Sequence, residues 1–502
     1  MEAPSWMVRE PFDHQLEDLY ETWDEEYWGI LHEQGLGKSK LTIDTAVSLY
    51  LDGKIDTLLV YAPGGTYLNW IAKCVPEDWP PEIPVRTGWW AATSRKEVRE
   101  RRRRAEESPE MAIIAANIES LRTIRGRNWA ALLARKRRVL CVIDESTKIA
   151  GMTAIQAKAA VKLGKLCPYR RILTGSACSE QPMMLWMQAE FLKPNAGLLG
   201  FRNPVAYKAH YCVLEDTWSP NKKNKDGSRG GLVKTQVRGE GPRGGKTPLY
   251  KNLDQLRHRL AKFTTRRTKA ECLDLPERVY EQRTFTMGRE QKRAYAQMRE
   301  EAIAILENEE VVSAPIVLAQ MTRLMQISAG FLPVPSSDDI MDFSADRMKV
   351  LLDIIEDCQG KILIWTRYPH TIRVIAHVLR EKYGDETVAT YYGETKKEDR
   401  PKVVDRFEDP EDPIRFLILN QQVAGYQITL VQSATAIFFT NYWSHDERDQ
   451  AEARNHRPGQ KNMVTYFDIV AEKSIDHDVL HVLRNKLDMK TQVLGDAWRN
   501  WI

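Results

Sequence analysis

Two sets of apolar runs constrain the fold of this chain more than any other feature. In the first half they are DTLLVYAP (56–63), MAIIAAN (111–117), RVLCVIDE (138–145) and YRRILTG (169–175); in the second half they are KILIWTR (361–367), TVATYY (387–392), IRFLILN (414–420), AIFFTN (436–441) and VTYFDIV (464–470). Runs that are apolar throughout, and not alternating, are typical of parallel strands buried on both faces. Amphipathic stretches such as 38–54 separate them. This alternation of strands and helices predicts doubly wound α/β sheets.

The order of these patterns predicts two tandem α/β lobes, at 1–275 and 276–502, with helical insertions. The stretch 219–247 interrupts the first lobe, because it has eight Lys and Arg against two acids between 221 and 246, and seven glycines. Such a composition cannot bury a core, so a mobile basic loop is expected there. Helix-like sequence follows from about 251 to 330, so the second lobe is expected to begin with a helical segment.

Composition excludes several classes of protein. Apolar residues make up 43% and charged residues 28% of the 502 positions, which fits a folded chain. No run of about 18 apolar residues and no secretory signal is present, so no membrane partner is expected and the location is predicted to be cytoplasmic. The seven cysteines are scattered without a C-x-x-C pair, which argues against a zinc site. Since the net charge is only +4, a nucleic acid would have to be bound by local basic patches.

The arginine run at 101–104 has two interpretations. Arginine-rich stretches can contact nucleic acid, but here acids recur at helical spacing. The four i,i+4 pairs are Glu97–Arg101, Glu100–Arg104, Arg102–Glu106 and Arg103–Glu107. We therefore favour an exposed helix with ion pairs on its surface.

A glycine-rich turn lies in GILHEQGLGKSKLTID (29–44). It consists of Gly35, Leu36, Gly37, Lys38 and Ser39. Glycines let backbone amides approach phosphate oxygens, and the following helix begins with the positive end of its dipole. A lysine here reaches the terminal phosphates, and the next hydroxyl can bind Mg²⁺. The strict pattern requires glycine where His32 stands, so an ordinary turn is the alternative.

Two acidic residues follow a strand-like run in VLCVIDEST. Asp144 can hold Mg²⁺ through water, while Glu145 can orient or deprotonate the attacking water. The alternative is a helix cap, because DEST offers capping side chains. A phosphate turn and an acidic strand end in one α/β lobe together predict a nucleotide-binding site.

The segment QAEARNHRPGQ (450–460) spaces Gln450, Arg454 and Arg457 at i, i+4 and i+7. This spacing predicts that all three lie on one face of a helix, which Pro458 and Gly459 end. Arginine suits the spread negative charge of a transferring phosphoryl group. If the second lobe docks on the first, both guanidiniums are expected to reach a γ-phosphate. The alternative is a solvated helix end.

Together these stretches resemble the SWI/SNF-type helicase-like ATPases of helicase superfamily two, and the resemblance covers nearly the whole chain. The D-E-x-G-L-G-K-T loop is matched by His32 to Ser39, D-E-x-H by Asp144 to Thr147, L-T-G-T-P by LTGSA (173–177) with LWMQAEFL (185–192) following, and Q-A-x-x-R-x-H-R-x-G-Q by 450–460. Lesser matches are PFDHQ (11–15), APGGTYLNW (62–70), RRTKAECLDLP (266–276) and ILIWTRY (362–368).

The resemblance implies two RecA-like lobes that use ATP and Mg²⁺. By the resemblance, Lys38 and the turn Gly35, Leu36, Gly37 and Ser39 bind the phosphates, and Gln15 reads the adenine. Ser39 and Asp144 bind Mg²⁺, Glu145 activates the water, and Arg454 and Arg457 stabilise the transition state. The residues implied in coupling are Thr174, Ser176, Gln450 and Gly425.

The chain departs from the family pattern at four places. His32 replaces an acidic or small residue, and Thr147 replaces the histidine that helps couple hydrolysis to movement. SA replaces TP at 176–177, and VAGYQITL (423–430) replaces a glycine-richer motif. Short members with DES in the acidic motif look similar to bacteriophage and mobile-element versions.

By this resemblance we expect a DNA-stimulated ATPase that translocates on double-stranded DNA and remodels DNA or protein–DNA structures. The expected partners are double-stranded or branched DNA and phage or host replication or recombination proteins, and the expected state is a monomer in the bacterial cytoplasm or nucleoid. The basic loop is a candidate DNA contact. Trp89, Trp90 and Trp443 are candidate stacking platforms, although buried packing is favoured for each.

Three alternatives remain open at this point. The chain could be a strand-separating helicase acting on DNA or RNA, or a catalytically weak scaffold that binds nucleic acid. It could also be the motor of a restriction or defence system, although the sequence shows no nuclease constellation. The sequence does not specify the preferred DNA structure, the direction or the step size.

Overall fold

The computed structural model describes residues 2–64, 66–91, 95–175, 177, 181–223, 229–240, 246–308, 314–334, 339–343, 346–396, 398–424 and 428–494. The chain divides into two compact units, whose main parts are Met1–Cys272 and Leu273–Asp488. Among these residues, no helix combines the length and the apolar character needed to cross a bilayer.

The first unit contains a parallel sheet with helices on both faces. Its helices are α1 (Asp13–Thr22), α2 (Lys38–Leu51), α3 (Tyr67–Asn69), α4 (Val75–Asp78), α5 (Lys96–Glu106), α6 (Ile124–Lys136), α7 (Ile155–Gly164), α8 (Leu185–Leu192), α9 (Pro204–Tyr211), α10 (Leu253–Leu260) and α11 (Lys269–Cys272). Its strands are β1 (Tyr27–Ile30), β2 (Thr57–Ala62), β3 (Val85–Trp90), β4 (Met111–Asn117), β5 (Val139–Asp144), β6 (Tyr169–Leu173), β7 (Leu214–Lys223), β8 (Arg229–Gln236), β9 (Arg238–Glu240), β10 (Lys246–Pro248) and β11 (Thr264–Thr265). A π-helical turn spans Trp70–Cys74, and 3₁₀ turns span Ile118–Arg122, Ser146–Ile149 and Pro182–Met184.

The strand order of this sheet is β11-β1-β6-β5-β2-β4-β3, with every pair parallel. Strand β5 shows why the run at 138–145 is apolar throughout. Its residues Cys141 and Ile143 pack into one core cluster, while Leu140 and Val142 pack into the cluster on the opposite face.

The second unit repeats this architecture. Its strands are β12 (Arg278–Phe285), β13 (Phe331–Pro333), β14 (Ile340–Asp342), β15 (Ile362–Thr366), β16 (Val388–Tyr391), β17 (Phe416–Asn420), β18 (Thr435–Phe438) and β19 (Val464–Ala471). Its helices are α12 (Arg289–Asn308), α13 (Ala314–Ala329), α14 (Asp346–Asp357), α15 (Pro369–Tyr383), α16 (Arg400–Glu408), α17 (Gln421–Ala424), α18 (His445–Glu452) and α19 (Ile475–Leu494), with a 3₁₀ turn at Asp385–Thr387. The sheet order is β12-β19-β18-β15-β17-β16, again parallel throughout.

Core packing in the second unit also covers both faces of the sheet. Phe416 and Ile418 of β17 enter one cluster, and Leu417 and Leu419 enter the other. The predicted class, two tandem RecA-like doubly wound parallel sheets, is therefore confirmed.

The expectation of a mobile loop at 219–247 was wrong for the described part of that stretch. Strands β7 and β8 pair as an antiparallel hairpin, and β9 pairs with β10. Two-stranded hairpins form through backbone hydrogen bonds and need no buried core of their own, so the polar composition did not reveal them. Trp218 on β7 is 66% exposed. Residues 224–228 and 241–245 of the predicted loop lie outside the described residues.

The helix-like stretch from about 251 to 330 contains a strand that the sequence pattern did not predict. Strand β12 lies at the edge of the second sheet and pairs in parallel with β19 along its whole length. Its residues are mostly half-buried or exposed. An edge strand with a solvated side lacks the apolar run that identified the central strands.

The arginine-rich run forms the predicted exposed helix, α5. Arg102 Nε lies 2.9 Å from Glu106 Oε1, as its spacing predicts. Arg101 instead donates from Nε to the Thr87 carbonyl on the edge strand β3, at 3.1 Å. Trp90 is buried against Trp129, as the packing interpretation expects.

The other two candidate tryptophans are only partly buried. The Arg101 guanidinium lies 4.9 Å from the ring centre of Trp89. Trp443 packs against the core of the second unit.

Candidate nucleotide-binding site

The carboxyl ends of three neighbouring strands of the first sheet bring the predicted nucleotide residues together. Ile30 at the end of β1 pairs with Leu173 at the end of β6, and Leu173 pairs with Asp144 at the end of β5. The Thr174 amide donates to the Ile30 carbonyl at 3.1 Å. The glycine-rich turn, the acidic pair and Thr174 therefore follow strands that end at one level. Ligands in open α/β sheets bind at this edge.

The glycine-rich turn has the backbone conformation that phosphate binding requires. Gly35 and Gly37 have φ angles of 91° and 70°, and α2 begins at Lys38. The Lys38 ammonium donates to the carbonyls of His32 at 2.9 Å and Glu33 at 3.2 Å, so the turn wraps around its own lysine. Amides at a helix start and a lysine within the turn suit an anionic phosphate group.

Gln15 supports this turn from helix α1. Its Nε2 donates to the carbonyls of Leu36 and Gly37, at 3.3 Å each, and its Oε1 accepts from the Phe12 amide at 3.0 Å. A Cβ atom at Gly37 would lie 1.9 Å from Gln15 Nε2, and the φ of 70° disfavours a side chain, so a residue other than glycine would be strained there. The structure thus shows Gln15 holding the turn, and its role in reading adenine stays a prediction.

Asp144 is buried at the end of β5. Its Oδ2 accepts from Trp70 Nε1 at 3.0 Å, and its Oδ1 accepts from the Glu145 amide at 3.0 Å. Burial raises the pKa of this carboxyl, while the Trp70 indole and the Lys38 charge act in the opposite direction. A carboxylate whose ionisation is disfavoured by burial gains from a nearby cation.

These residues fit a magnesium ion that also binds substrate phosphates. Within the described residues, no group of three or more His, Cys, Asp or Glu side chains could hold a metal alone. Mg²⁺ commonly binds one or two protein oxygens, phosphate oxygens and water. Asp144 supplies a carboxylate and Ser39, in the first turn of α2, supplies a hydroxyl.

Glu145 adopts a left-handed backbone conformation, with φ 51° and ψ 59°. That conformation is uncommon for a residue other than glycine and is concentrated at functional sites. Glu145 occupies the cap position of the turn Ser146–Ile149, but its side chain makes no capping hydrogen bond. The capping interpretation therefore does not account for this glutamate.

His32 belongs to a buried polar network that the motif comparison did not reveal. His32 Nε2 lies 2.9 Å from Asp18 Oδ2, and Arg267 Nη2 donates to Asp18 Oδ1 at 2.8 Å. Burial lowers the pKa of His32 to about 4, against the opposing effect of Asp18. The departure from the family pattern at His32 thus introduces a neutral imidazole that packs behind the phosphate turn.

A neighbouring arginine ties the same turn to the segment after β6. Arg266 donates to the Leu31 carbonyl and, at 3.2 Å, to the Gly175 carbonyl. Its Nη2 also lies 3.5 Å from Glu33 Oε1. The stretch RRTK, noted above only as a lesser match, was the sequence signal for this support. The sequence signal for Trp70 was its place at the end of the matched stretch APGGTYLNW (62–70).

The predicted helix through 450–457 was wrong in its extent, because α18 ends at Glu452. Arg454 and Arg457 lie in the irregular turn that follows, so the i, i+4, i+7 face does not exist. Pro458 lacks the amide hydrogen that a longer helix would donate to the Arg454 carbonyl. That carbonyl accepts instead from the Leu430 amide at 2.9 Å, and Asn455 Nδ2 donates to the Ser433 carbonyl at 3.3 Å. We call the segment 453–460 the arginine turn.

The arginine turn nevertheless brings both guanidiniums to one place. Arg454 Nη1 and Arg457 Nη1 donate to the same carbonyl, that of Ile428, at 3.3 and 3.2 Å. Arg454 Nε also donates to the Gln450 carbonyl at 2.7 Å. Burial lowers the pKa of Arg457, while Glu408 opposes that shift. Two largely buried guanidiniums on one carbonyl favour an anion nearby.

The structure therefore divides the predicted site residues between the two units. Those grouped at the edge of the first sheet are Gln15, Gly35, Leu36, Gly37, Lys38, Ser39, Asp144, Glu145 and Thr174. Gln450, Arg454 and Arg457 lie together in the second unit, beside the stretch 428–430. Ser176 and Gly425 lie outside the described residues.

Part of the second unit matches a helicase family model, and most of the chain is similar in sequence to ATP-dependent helicases. The family model for the helicase conserved C-terminal domain matches residues 346–459. An uncharacterized ATP-dependent helicase of Mycoplasma pneumoniae is 23% identical over 480 residues, covering 94% of this chain and 40% of that protein. The SWI/SNF chromatin-remodeling complex subunit snf22 of Schizosaccharomyces pombe is 23% identical over 493 residues, covering 93% of this chain and 27% of that protein.

A solved structure is also similar to the whole chain. The Sulfolobus solfataricus SWI2/SNF2 ATPase core in complex with dsDNA has 20% sequence identity and a TM-score of 0.41, covering 98% of this chain and 95% of that one. The two curated relatives are considerably longer than this chain, which spans 40% or less of their length.

Proposed function

We propose, from the similarity of this chain to the SWI/SNF-type helicase-like ATPases, that it is a DNA-stimulated ATPase that translocates on double-stranded DNA. Its work is the remodelling of DNA or protein–DNA structures, such as forks or branched intermediates. The biological task beyond that, and phage or host partners, remain predictions from the motifs.

One observation carries the hydrolytic part of the proposal. The phosphate turn, Asp144 and Thr174 follow three adjacent strands that end at one level of the first sheet. Lys38 and the turn amides can neutralise and orient a triphosphate there, and the buried Asp144 and Ser39 can hold Mg²⁺. Mg²⁺, when bound, neutralises charge on the phosphate oxygens.

The remaining chemistry is assigned to side chains near this edge and in the second unit. Glu145, held in its left-handed conformation beside Asp144, accepts the proton of the attacking water. Arg454 and Arg457, which converge on the Ile428 carbonyl, stabilise the charge of the transferring phosphoryl group. Thr174, Ser176, Gln450 and Gly425 keep the coupling roles that the family resemblance implies.

The hairpin β7–β8 supports DNA as the partner. The stretch 221–246 has eight Lys and Arg against two acids, and the described part of the hairpin exposes Trp218. Cations bind the phosphate backbone, and an exposed aromatic face can stack on a base. DNA binding is therefore expected to weaken steeply as salt is raised.

The test is ATP hydrolysis by the purified chain, measured alone and with duplex DNA, single-stranded DNA, branched DNA and RNA. We expect DNA that contains duplex to stimulate hydrolysis strongly and RNA to have little effect. Lys38→Ala should abolish the stimulated rate, whereas Lys158→Ala, at an exposed lysine of α7, should leave it unchanged. Hydrolysis on none of these nucleic acids would instead favour the catalytically weak scaffold.

Displacement assays separate translocation from strand separation. Release of the third strand from a triplex, without opening of the duplex, is expected for a double-strand translocase. Release of a labelled strand from a tailed duplex at a comparable rate would favour the alternative, a strand-separating helicase.

A further inference from the structure

The turn Ser146–Ile149, directly after the acidic pair, is held by two buried glutamines from different helices. Gln188 of α8 is 1% exposed and bonds the first residue of the turn, while Gln156 of α7 is 6% exposed and bonds the third. Neither glutamine belongs to the acid, phosphate or arginine motifs. The two glutamines differ in their other contacts, because Gln188 also bonds the Ala177 carbonyl in the LTGSA segment.

Gln188 uses both ends of its amide to join two segments of the candidate site. Its Oε1 accepts from the Ser146 hydroxyl at 2.6 Å. Its Nε2 donates to the Ala177 carbonyl at 2.8 Å and to the Met184 carbonyl at 2.8 Å. Ser146 immediately follows Glu145, and Ala177 ends the LTGSA segment that contains Thr174. One side chain therefore spans the acidic turn and the coupling segment.

Burial makes this bridge a constraint on movement. Ser146 and Ala177 are both fully buried, so water cannot replace a bond that is broken when either segment shifts. Because the amide group of Gln188 is planar and rigid, a shift of its oxygen also shifts its nitrogen. The acidic turn and the LTGSA segment must accordingly move together or leave a buried polar group without a partner.

We propose that Gln188 is a positioning residue that couples the acidic turn to the LTGSA segment. The proposal rests on the proposed function, because it assumes that hydrolysis beside Asp144 and Glu145 drives movement on DNA. Gln188 itself touches no reacting group.

Gln156 provides the matched control for this role. Its Nε2 donates to the Lys148 carbonyl at 2.5 Å, and its Oε1 accepts from Arg122. It therefore holds the same turn through a buried amide, but it makes no bond to the LTGSA segment among these contacts. Gln156→Leu removes support from the turn and leaves the bridge intact.

The experiment compares Gln188→Leu, Gln156→Leu and the double variant Ser146→Ala with Gln188→Leu. Each is assayed for stimulated ATP hydrolysis, triplex displacement per ATP hydrolysed, and thermal unfolding. We expect Gln188→Leu to lower displacement per ATP by about tenfold, and Gln156→Leu to change it by less than about twofold. The double variant should unfold at a higher temperature than Gln188→Leu, because it removes the stranded hydroxyl, while displacement per ATP stays low.

Three results would overturn the proposal. Displacement per ATP could be normal in Gln188→Leu, it could fall equally in Gln156→Leu, or it could recover together with stability in the double variant. Hydrogen exchange keeps the test separate from the proposed function if the wild type hydrolyses no ATP. Ser146→Ala should speed amide exchange in peptides covering 170–177 when Gln188 is present. In a Gln188→Leu background it should have no such effect, and equal acceleration in both backgrounds would refute the bridge.

Discussion

The phosphate turn of the first unit and the arginine turn of the second are each held by one contact from nearby chain and one from much farther along it. The phosphate turn is held by Gln15, which lies 21 residues from Leu36, and by Arg266, which lies 235 residues from Leu31. The arginine turn is held mostly by the stretch 428–433, with 26 residues between Arg454 and Ile428. Both turns therefore require their unit to be folded, since His456 Nε2 in the arginine turn also lies 2.9 Å from the Pro276 carbonyl, 180 residues away.

The two regions differ in how their surroundings shift the pKa values of buried groups. In the first unit, burial pushes His32 and Asp44 toward their neutral forms, lowering the pKa of His32 to about 4 and raising that of Asp44 to about 6. In the second, Arg448 lies between Asp468 and Glu452, at 2.5 and 2.6 Å, and its pKa is raised by those carboxylates. The comparison predicts that mild acid changes the charge of His32 and Asp44 in the first unit, whereas Arg448 in the second unit stays charged.

The largest expected effect concerns the arginine turn. Arg454→Lys and Arg457→Lys should each lower kcat for ATP hydrolysis by about 10³-fold, because lysine cannot reproduce the guanidinium that converges on the Ile428 carbonyl. The Michaelis constant for ATP should change little. Steady-state kinetics test this, with Arg406→Lys on exposed helix α16 as the control. Unchanged kcat in both variants would assign the turn a purely structural role.

The next effect is on stability in mild acid, where His32 and Asp44 act in opposite directions. Since the pKa of His32 falls from 6.5 to about 4 on folding, its contribution is complete above pH 6.5 and is lost as the pH falls toward 4. The pKa of Asp44 rises from 3.8 to about 6, so its ionisation destabilises the fold above pH 6 and that cost disappears toward 3.8.

Variants at these two positions should therefore show opposite slopes relative to the wild type. The free energy of unfolding of His32→Asn should gain about 3 kcal/mol on the wild type as the pH falls through that window. That of Asp44→Asn should lose a similar amount, about 3 kcal/mol. Urea unfolding across the window measures both, and parallel curves for all three proteins would contradict the prediction.

A smaller effect is expected from a methyl group in the phosphate turn. Gly37→Ala should destabilise the fold by about 2 kcal/mol, because its Cβ meets Gln15 and its φ of 70° disfavours a side chain. Gly53→Ala is the matched control, since Gly53 has a φ of 67° and open space around its Cβ position. It should lose only about 1 kcal/mol.

A double variant separates the clash from the backbone strain. In a Gln15→Ala background, the cost of Gly37→Ala should fall to the value measured at Gly53. Denaturant unfolding checks this cycle. An unchanged cost would mean that Gln15 moves aside freely, which would contradict its place as a rigid support of the turn.

The smallest expected effect is at Trp70. Trp70→Phe keeps an aromatic ring but removes the indole donor to Asp144 Oδ2, so the pKa of Asp144 should rise further and kcat should fall by about tenfold. The loss should be relieved at higher pH, because ionisation of Asp144 is then restored. A pH profile of kcat for wild type and variant tests this. A loss that is independent of pH would show that the indole only fills space.

The sequence allowed most of the fold and part of the site to be predicted. The central strands were recognisable because both of their faces are buried, whereas β12 and the hairpins β7–β8 and β9–β10 were missed because they lack that burial. The residues of the phosphate turn and the acidic pair were recognisable from local spacing. The roles of Gln188, Trp70 and Asp18 were not, although Gln188 and Trp70 lie within the matched stretches LWMQAEFL and APGGTYLNW, since each role depends on a side-chain contact between different elements of the fold.

What the sequence determined by itself was local: the parallel strands, the glycines that the phosphate turn requires, and the identity of the charged groups beside it. Tertiary structure decided how the segment after α18 is held, because the Leu430 amide donates to the Arg454 carbonyl and the Asn455 side chain donates to the Ser433 carbonyl. It also decided that His32 is neutral, since burial in the folded unit lowers its pKa more than Asp18 raises it. Hydrogen bonds and desolvation depend on distances across the fold, and no local pattern encodes them.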